Sequence, residues 1–177
     1  MLDGEFLAEF KRLTELRWKN AAIHQDIFGF QVQSGTRWLP GLSINEIAKY
    51  EQALGIVVPS DLRTFLQCAN GTDLPLVNVH GSPKEVFGLY SYPRDLKAVL
   101  QRIAEVEADR TAITTELSEQ GFTLRAETKL VPIYFHRYIA CESNPANSVV
   151  LSIHGRDAIV YSNSMHEYLV KEFLCDV

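Results

Sequence analysis

The feature that most constrains this chain is a pair of short amphipathic helices with explicit start and stop signals. Residues 43–46 read Ser-Ile-Asn-Glu, a capping box in which the serine hydroxyl and the glutamate carboxylate each accept a hydrogen bond from the other residue's backbone amide. Gly55 can end that helix in the left-handed conformation. A second apolar period starts after residues 59–61 (Pro-Ser-Asp) and stops at Asn70-Gly71. Because residues 56–58 are too few to cross a sheet, we expect an αα unit.

Two further helical periods lie outside this pair. Residues 2–18 place apolar side chains at steps of three and four, and Asp3 can cap the start of that helix. A longer pattern over 93–120 predicts a central helix that ends at Gly121. We predict that residues 1–36 form a helical extension packed on the body, which comprises residues 37–177. The predicted apolar stripe of the first helix is Leu2, Phe6, Phe10, Leu13 and Leu16.

The last third of the chain changes from a helical to an alternating period. Residues 129–135 alternate in the manner of a strand, and residues 149–153 and 158–161 do so on either side of a glycine turn, which predicts an antiparallel hairpin. Residues 164–167 (Ser-Met-His-Glu) form a second capping box that opens a closing helix. N-terminal helices on a mainly antiparallel sheet, with a long central helix and a C-terminal helix, define an α+β fold.

Composition narrows the classes of function. A length of 177 residues suits one domain, and 17 basic against 22 acidic residues give a formal net charge of −5, opposite to that of a nucleic-acid binder. The cysteines Cys68, Cys141 and Cys175 are too scattered for a disulfide framework or a zinc site, and no glycine-rich phosphate loop is present. The acidic N-terminus lacks the apolar run of a signal peptide. We therefore expect a cytoplasmic protein with no metal, cofactor, nucleic-acid or membrane partner.

The densest group of side chains suited to recognition is the tentative partner-binding set Tyr134, His136, Arg137 and Tyr138. On one continuous strand, Tyr134, His136 and Tyr138 would share a face and form an aromatic, hydrogen-bonding surface. Alternatively, the tyrosines pack beneath a helix while His136 and Arg137 satisfy nearby backbone or acidic groups. An enzyme site around His136, Arg137 and Asp157 is a third possibility, although no motif places these groups together. No catalytic residue is predicted.

Nine residues follow one another in a characteristic order over 38–71: Trp38, Gly41, Ser43, Glu46, Glu51, Gly55, Pro59, Asn70 and Gly71. A second ordered run over 130–173 includes Pro132, Tyr161 and Phe173. Together these residues resemble the SUKH superfamily, which includes bacterial immunity proteins and fungal regulators of cell-wall assembly. Two positions depart from the family pattern: Phe135 stands where a small residue is expected, and Ala140 where a proline is expected. The signature residues look like determinants of the fold, and Trp38 is expected to anchor over a helix end rather than to form a ligand platform. That signature is the set of nine residues over 38–71.

The resemblance implies a non-enzymatic α+β domain that binds protein partners. In bacteria this often means an immunity protein that occludes a toxin, and the negative charge favours a basic nuclease-type toxin as the partner, since opposite potentials speed encounter. The alternatives are a regulatory or scaffold module unrelated to toxins and, with less support, the enzyme described above. Neither the identity of the partner nor the oligomeric state is predicted.

Overall fold

The architecture is taken from a computed structural model, which describes residues 2–80, 84–142 and 148–175. Its helices are α1 (Gly4–Trp18), α2 (Ile44–Leu54), α3 (Ser60–Cys68), α4 (Leu96–Ala108), α5 (Arg110–Glu119) and α6 (Met165–Leu169), the last continuing as a π-helical segment over Val170–Leu174. Its strands are β1 (Trp38–Pro40), β2 (Ala69–Thr72), β3 (Leu76–Asn78), β4 (Lys84–Val86), β5 (Lys129–Tyr134), β6 (Arg137–Cys141), β7 (Val150–His154) and β8 (Asp157–Ser162).

The strands are antiparallel, which confirms the predicted α+β fold class. Strands β5, β6, β7 and β8 form one four-stranded sheet in chain order, and β1–β2 and β3–β4 form two small ribbons. The predicted hairpin is confirmed: His154 pairs with Asp157 across a two-residue turn, where Gly155 adopts a φ of 62°. The turns β5–β6 and β7–β8 therefore lie at the same end of the sheet.

The four-stranded sheet carries a hydrophobic core on each face. Val131, Ile139 and Val150 pack with side chains of α1, α2, α3 and α6. Leu130 and Ala140 belong to the opposite core, together with α4 and α5. Because neighbouring residues on a strand point to opposite faces, the predicted alternation supplies both cores at once.

Helix α1 belongs to the first core, and its inward stripe differs from the predicted one. The Asp3 side chain accepts a hydrogen bond from the Phe6 amide at 2.8 Å, so the predicted cap is confirmed. Leu16 is 57 % exposed, so the predicted stripe is wrong at that position. The helix is rotated to place Thr14 beneath Trp38, whose indole Nε1 donates to Thr14 Oγ1 at 2.7 Å. The buried residues of α1 are Leu7, Phe10, Thr14 and Trp18.

The first capping box and its stop signal are confirmed. Ser43 Oγ accepts from the Glu46 amide at 3.3 Å, and Glu46 Oε2 accepts from the Ser43 amide at 2.8 Å. Gly55 follows α2 with a φ of 66°, the left-handed region that a residue without a Cβ enters most readily.

The connection between α2 and α3 is held by a carboxylate. Glu51 Oε1 accepts from the Val58 amide at 2.9 Å and from the Arg63 guanidinium. Pro59 then immediately precedes the first residue of α3. Glu51 thus links α2, the connection and α3 through one side chain.

Two other signature positions fix the approach of backbones. A Cβ on Gly41 would lie 1.9 Å from the carbonyl oxygen of Gln67, so only glycine fits beside the end of α3. Asn70 Nδ2 donates to the Tyr92 carbonyl at 2.7 Å, and Asn70 Oδ1 accepts from the Tyr92 amide at 2.9 Å. Asn70 and Gly71 lie within β2 rather than in a loop that ends α3, because the chain passes from helix to strand without an intervening turn.

Two predicted helices differ in detail. The central pattern is divided into α4 and α5 at Asp109, whose backbone angles of −98° and 10° interrupt the helix, while Gly121 follows α5 with a φ of 79°. The second capping box is half formed: Ser164 Oγ accepts from the Glu167 amide at 3.1 Å. Glu167 instead accepts from the Asn163 amide at 2.9 Å.

Candidate functional site

A cavity of about 480 Å³ lies at the end of the sheet where the β5–β6 and β7–β8 turns meet. Its walls come from both turns, from α4, from the π-helical segment and from the loop that carries Phe30. The Ile153 amide donates to the His136 carbonyl at 2.8 Å, which joins β7 to the β5–β6 turn. Of the residues predicted to bind a partner, Tyr134, His136 and Tyr138 line this cavity.

The prediction that Tyr134, His136 and Tyr138 lie on one continuous strand is wrong, because the chain reverses direction between Tyr134 and Tyr138. Strand β5 ends at Tyr134 and β6 begins at Arg137, and the two residues pair across a two-residue turn. Phe135 occupies that turn with a φ of 44°. Tyr134, His136 and Tyr138 therefore do not share a strand face and reach the cavity from a strand end, a turn and the next strand.

The Phe135 ring forms part of the cavity wall. It stacks on Phe30 with ring centroids 4.8 Å apart. A Cβ on Gly88 would lie 2.4 Å from the Phe135 ring, and the Phe135 amide donates to the Gly88 carbonyl at 3.1 Å. The Phe135 side chain thus occupies space that a glycine on the neighbouring segment leaves open.

His136 is the titratable group of the β5–β6 turn. Burial lowers its pKa below the ordinary value of 6.5, and the positive charge of Arg137 lowers the pKa further. Its ring lies 6.2 Å from that of His154, edge to face. Both imidazoles line the cavity.

The side chain of Arg137 is engaged by three neighbours within the chain. Its Nε donates to Glu172 Oε2 at 3.0 Å, its Nη1 donates to Ser152 Oγ at 2.8 Å, and its guanidinium lies 3.8 Å from the Tyr161 ring centroid. Glu172 itself reaches the cavity. Arg137 therefore acts by holding a carboxylate of the wall.

Tyr138 is buried beneath α4. This arrangement matches the alternative prediction, in which the tyrosines pack beneath a helix. It is 2 % exposed and packs in the same core as Val106 of α4. Burial raises the pKa of its hydroxyl to about 12. Tyr138 forms the floor of the cavity and presents little surface to a partner.

The hypothetical enzyme site would combine His136, Arg137 and Asp157, but the structure does not bring these three side chains together at the cavity. Asp157 is exposed on β8, and neither Asp157 nor Arg137 is among the described residues that line the space around His136. Within the described ranges there is also no cluster of histidine, cysteine and acidic side chains that could hold a metal ion.

Sequence reasoning misses the wall residues that come from distant segments. Glu105 and Asp109, at the end of α4, line the cavity, as does Phe30. Phe28 lies near Phe30 in the chain and is 84 % exposed. Glu105 lies in the last turn of α4 and Asp109 directly follows that helix, and only the fold shows that both side chains face the cavity.

The fold and the helix caps around Trp38–Gly71 define a small α+β domain with a cavity at one sheet end. The family model of the SMI1 / KNR4 family (SUKH-1) matches residues 41–171. The chain therefore belongs to the SUKH-1 family, as the sequence resemblance predicts. A comparison with curated proteins gave no match. None of the helices in the described part of the chain has the length and apolar character needed to cross a membrane.

Proposed function

We propose that this protein is a non-enzymatic binding protein, an immunity protein that neutralises a bacterial toxin by occluding it. Membership of the SUKH-1 family is compatible with such a role. In this proposal the signature residues build the scaffold, and the partner contacts the sheet end that carries the cavity.

The observation that carries the proposal is an exposed aromatic residue beside an open cavity. Phe28 is 84 % exposed, and the next two residues of the chain, Gly29 and Phe30, line the cavity. Large exposed apolar side chains next to a polar recess are typical of protein-recognition surfaces, where aromatic residues act as anchors. His136 contributes a hydrogen-bonding group to the same surface.

The net charge supports a basic partner, and the free cysteines support a reducing compartment. The net charge of −5 favours a basic partner such as a nuclease-type toxin, since opposite potentials raise the association rate. Cys68, Cys141 and Cys175 are free thiols, which suits the reducing bacterial cytoplasm.

Co-expression of this protein with candidate toxins, beginning with any toxin gene that neighbours its own gene, tests the proposal. Cells that produce the toxin alone should die, and cells that also produce this protein should survive. Phe28→Ala should weaken protection because it removes the anchor, whereas Val57→Ala is a control at another exposed apolar residue, 73 % exposed in the connection after α2. Killing that is unchanged by the wild-type protein would contradict the proposal.

Affinity capture with the purified toxin then separates occlusion from indirect protection. A stable complex in which the toxin's active site no longer binds its substrate is expected. Protection without any complex would instead favour the regulatory module that the sequence leaves as an alternative.

A further inference from the structure

The cavity walls combine aromatic faces with carboxylates. Phe30 and Phe135 stack on each other and both line the space. Phe30 also receives a cation within the chain, since Lys84 Nζ lies 5.8 Å from its ring centroid. Aromatic faces attract ammonium and guanidinium groups through the ring quadrupole. This side of the cavity is thus suited to the flat or apolar part of a cationic side chain.

The charged groups of the wall are predominantly acidic. Three carboxylates line the cavity, those of Glu105, Asp109 and Glu172, against one guanidinium, that of Arg102. Because Glu172 is paired with the largely buried Arg137, the carboxylates that a ligand can reach are those of Glu105 and Asp109. Burial and the positive charge of Arg137 lower the pKa of His136 below 6.5, which favours its uncharged form. The acidic side chains come from two different parts of the chain, the end of α4 and the π-helical segment, and face one space.

The carboxylates of Glu105 and Asp109 are held by exposed partners. Arg102 Nη1 lies 3.4 Å from Glu105 Oε2, and the Arg102 side chain is 47 % exposed. Arg156 Nε lies 3.0 Å from Asp109 Oδ1, and the Arg156 side chain is 78 % exposed. Exposed ion pairs of this kind contribute only about 0–1 kcal/mol, so an incoming cation can replace either arginine at low cost.

We propose that this cavity receives a basic side chain, arginine or lysine, that projects from the protein partner. The proposal rests on the function proposed above and specifies the contact at its centre. The side chain's stem packs on Phe30 and Phe135 while its charged end binds Glu105 and Asp109. The volume of about 480 Å³ accommodates such a side chain and the backbone that carries it.

A capped pentapeptide with arginine between alanine and glycine residues is the probe, and the same peptide with citrulline is its uncharged control. Titration of the ¹⁵N-labelled full chain should shift the amide signals of Gly29, His136 and Gly155, which line the cavity. The arginine peptide should bind roughly tenfold more tightly than the citrulline peptide, because a charge-assisted hydrogen bond is about twice as strong as a neutral one.

Matched variants separate a local contact from bulk charge. Glu105→Gln/Asp109→Asn should weaken binding of the arginine peptide roughly tenfold, whereas Glu116→Gln/Glu119→Gln, which removes the same charge from α5, should leave it unchanged. Three results would each overturn the proposal. They are equal affinity for the two peptides, an equal loss of affinity in both double variants, and no shift of the cavity amide signals at about 20 mM peptide. Loss of toxin protection with cavity binding intact would count against the immunity function alone.

Discussion

Replacing Gly41 or Gly4 by alanine makes the same chemical change at two sites where the structure predicts opposite effects. A Cβ on Gly41 would lie 1.9 Å from the Gln67 carbonyl oxygen and 2.2 Å from its carbonyl carbon. Carbon–oxygen contacts need about 3.3 Å, so the two backbones must separate by roughly 1 Å or more. That separation strains the hydrogen bond from the Leu42 amide to the Leu66 carbonyl, 2.7 Å long in the native chain.

Gly41→Ala should therefore lower the free energy of unfolding by at least about 1–3 kcal/mol, the usual range for an overpacked core, and by more if the end of α3 cannot move. Gly4 is the first residue of α1, and a methyl group added there would meet nothing within 4 Å. Gly4→Ala should therefore raise the free energy of unfolding by about 0.4–1 kcal/mol, because alanine loses less conformational entropy than glycine when the chain folds. Urea denaturation of the two variants, with midpoint and slope compared, measures both values. A Gly41→Ala protein as stable as the wild type would refute the argument from close approach.

The remaining predictions concern buried polar groups. Thr14→Val should lower the free energy of unfolding by about 1–3 kcal/mol, because it leaves the indole N–H of Trp38 buried and unpaired. The control Thr115→Val removes a hydroxyl from an exposed helical site and should change that free energy by less than about 0.5 kcal/mol. Urea denaturation measures both values. The pKa of His136, measured by NMR titration, should lie below 6.5 in the folded protein. Because the unfolded chain then binds the proton more tightly, the free energy of unfolding should fall as the pH drops from the unfolded pKa through the folded pKa. A folded pKa at or above 6.5 would be inconsistent with the burial of this residue. Arg137→Met should lower the free energy of unfolding by about 2 kcal/mol, because it leaves Glu172 without its ion-pair partner at a site where both side chains are at most 15 % exposed. Arg12→Met, which breaks the exposed pair with Glu9, should lower it by at most about 1 kcal/mol. Equal shifts of the melting temperature in the two variants would contradict the difference in burial.

The fold could be predicted where local chemistry and the buried pattern agree. The capping box at Ser43 and Glu46 and the turn at Gly155 depend on residues close together in sequence, and both form as predicted. The predicted stripe of α1 fails at Leu16 because periodicity alone does not say which of two overlapping faces is inward. Thr14, a polar residue, takes the inward position because Trp38 supplies a partner from another segment.

The candidate site could be predicted only in part. The neighbours of His136 in sequence point to this residue, but the assumption of one straight strand fails at the turn. That turn requires a positive φ at Phe135, a conformation that a bulky residue adopts rarely and that no single-sequence pattern reveals. Glu105, Asp109 and Phe30 come from segments far from that turn in the chain, so their convergence on it depends on tertiary structure.

Phe135 connects the β5–β6 turn of the fold to the wall of the cavity. A φ of 44° costs a residue with a Cβ roughly 1–2 kcal/mol. The ring offsets that cost by packing on Phe30 and over Gly88, an aromatic contact that contributes about 0.5–1.5 kcal/mol beyond the area it buries. Because those compensating contacts also form the cavity wall, the residue that strains the turn also shapes the cavity. The strained turn therefore coincides with the site proposed to bind the partner.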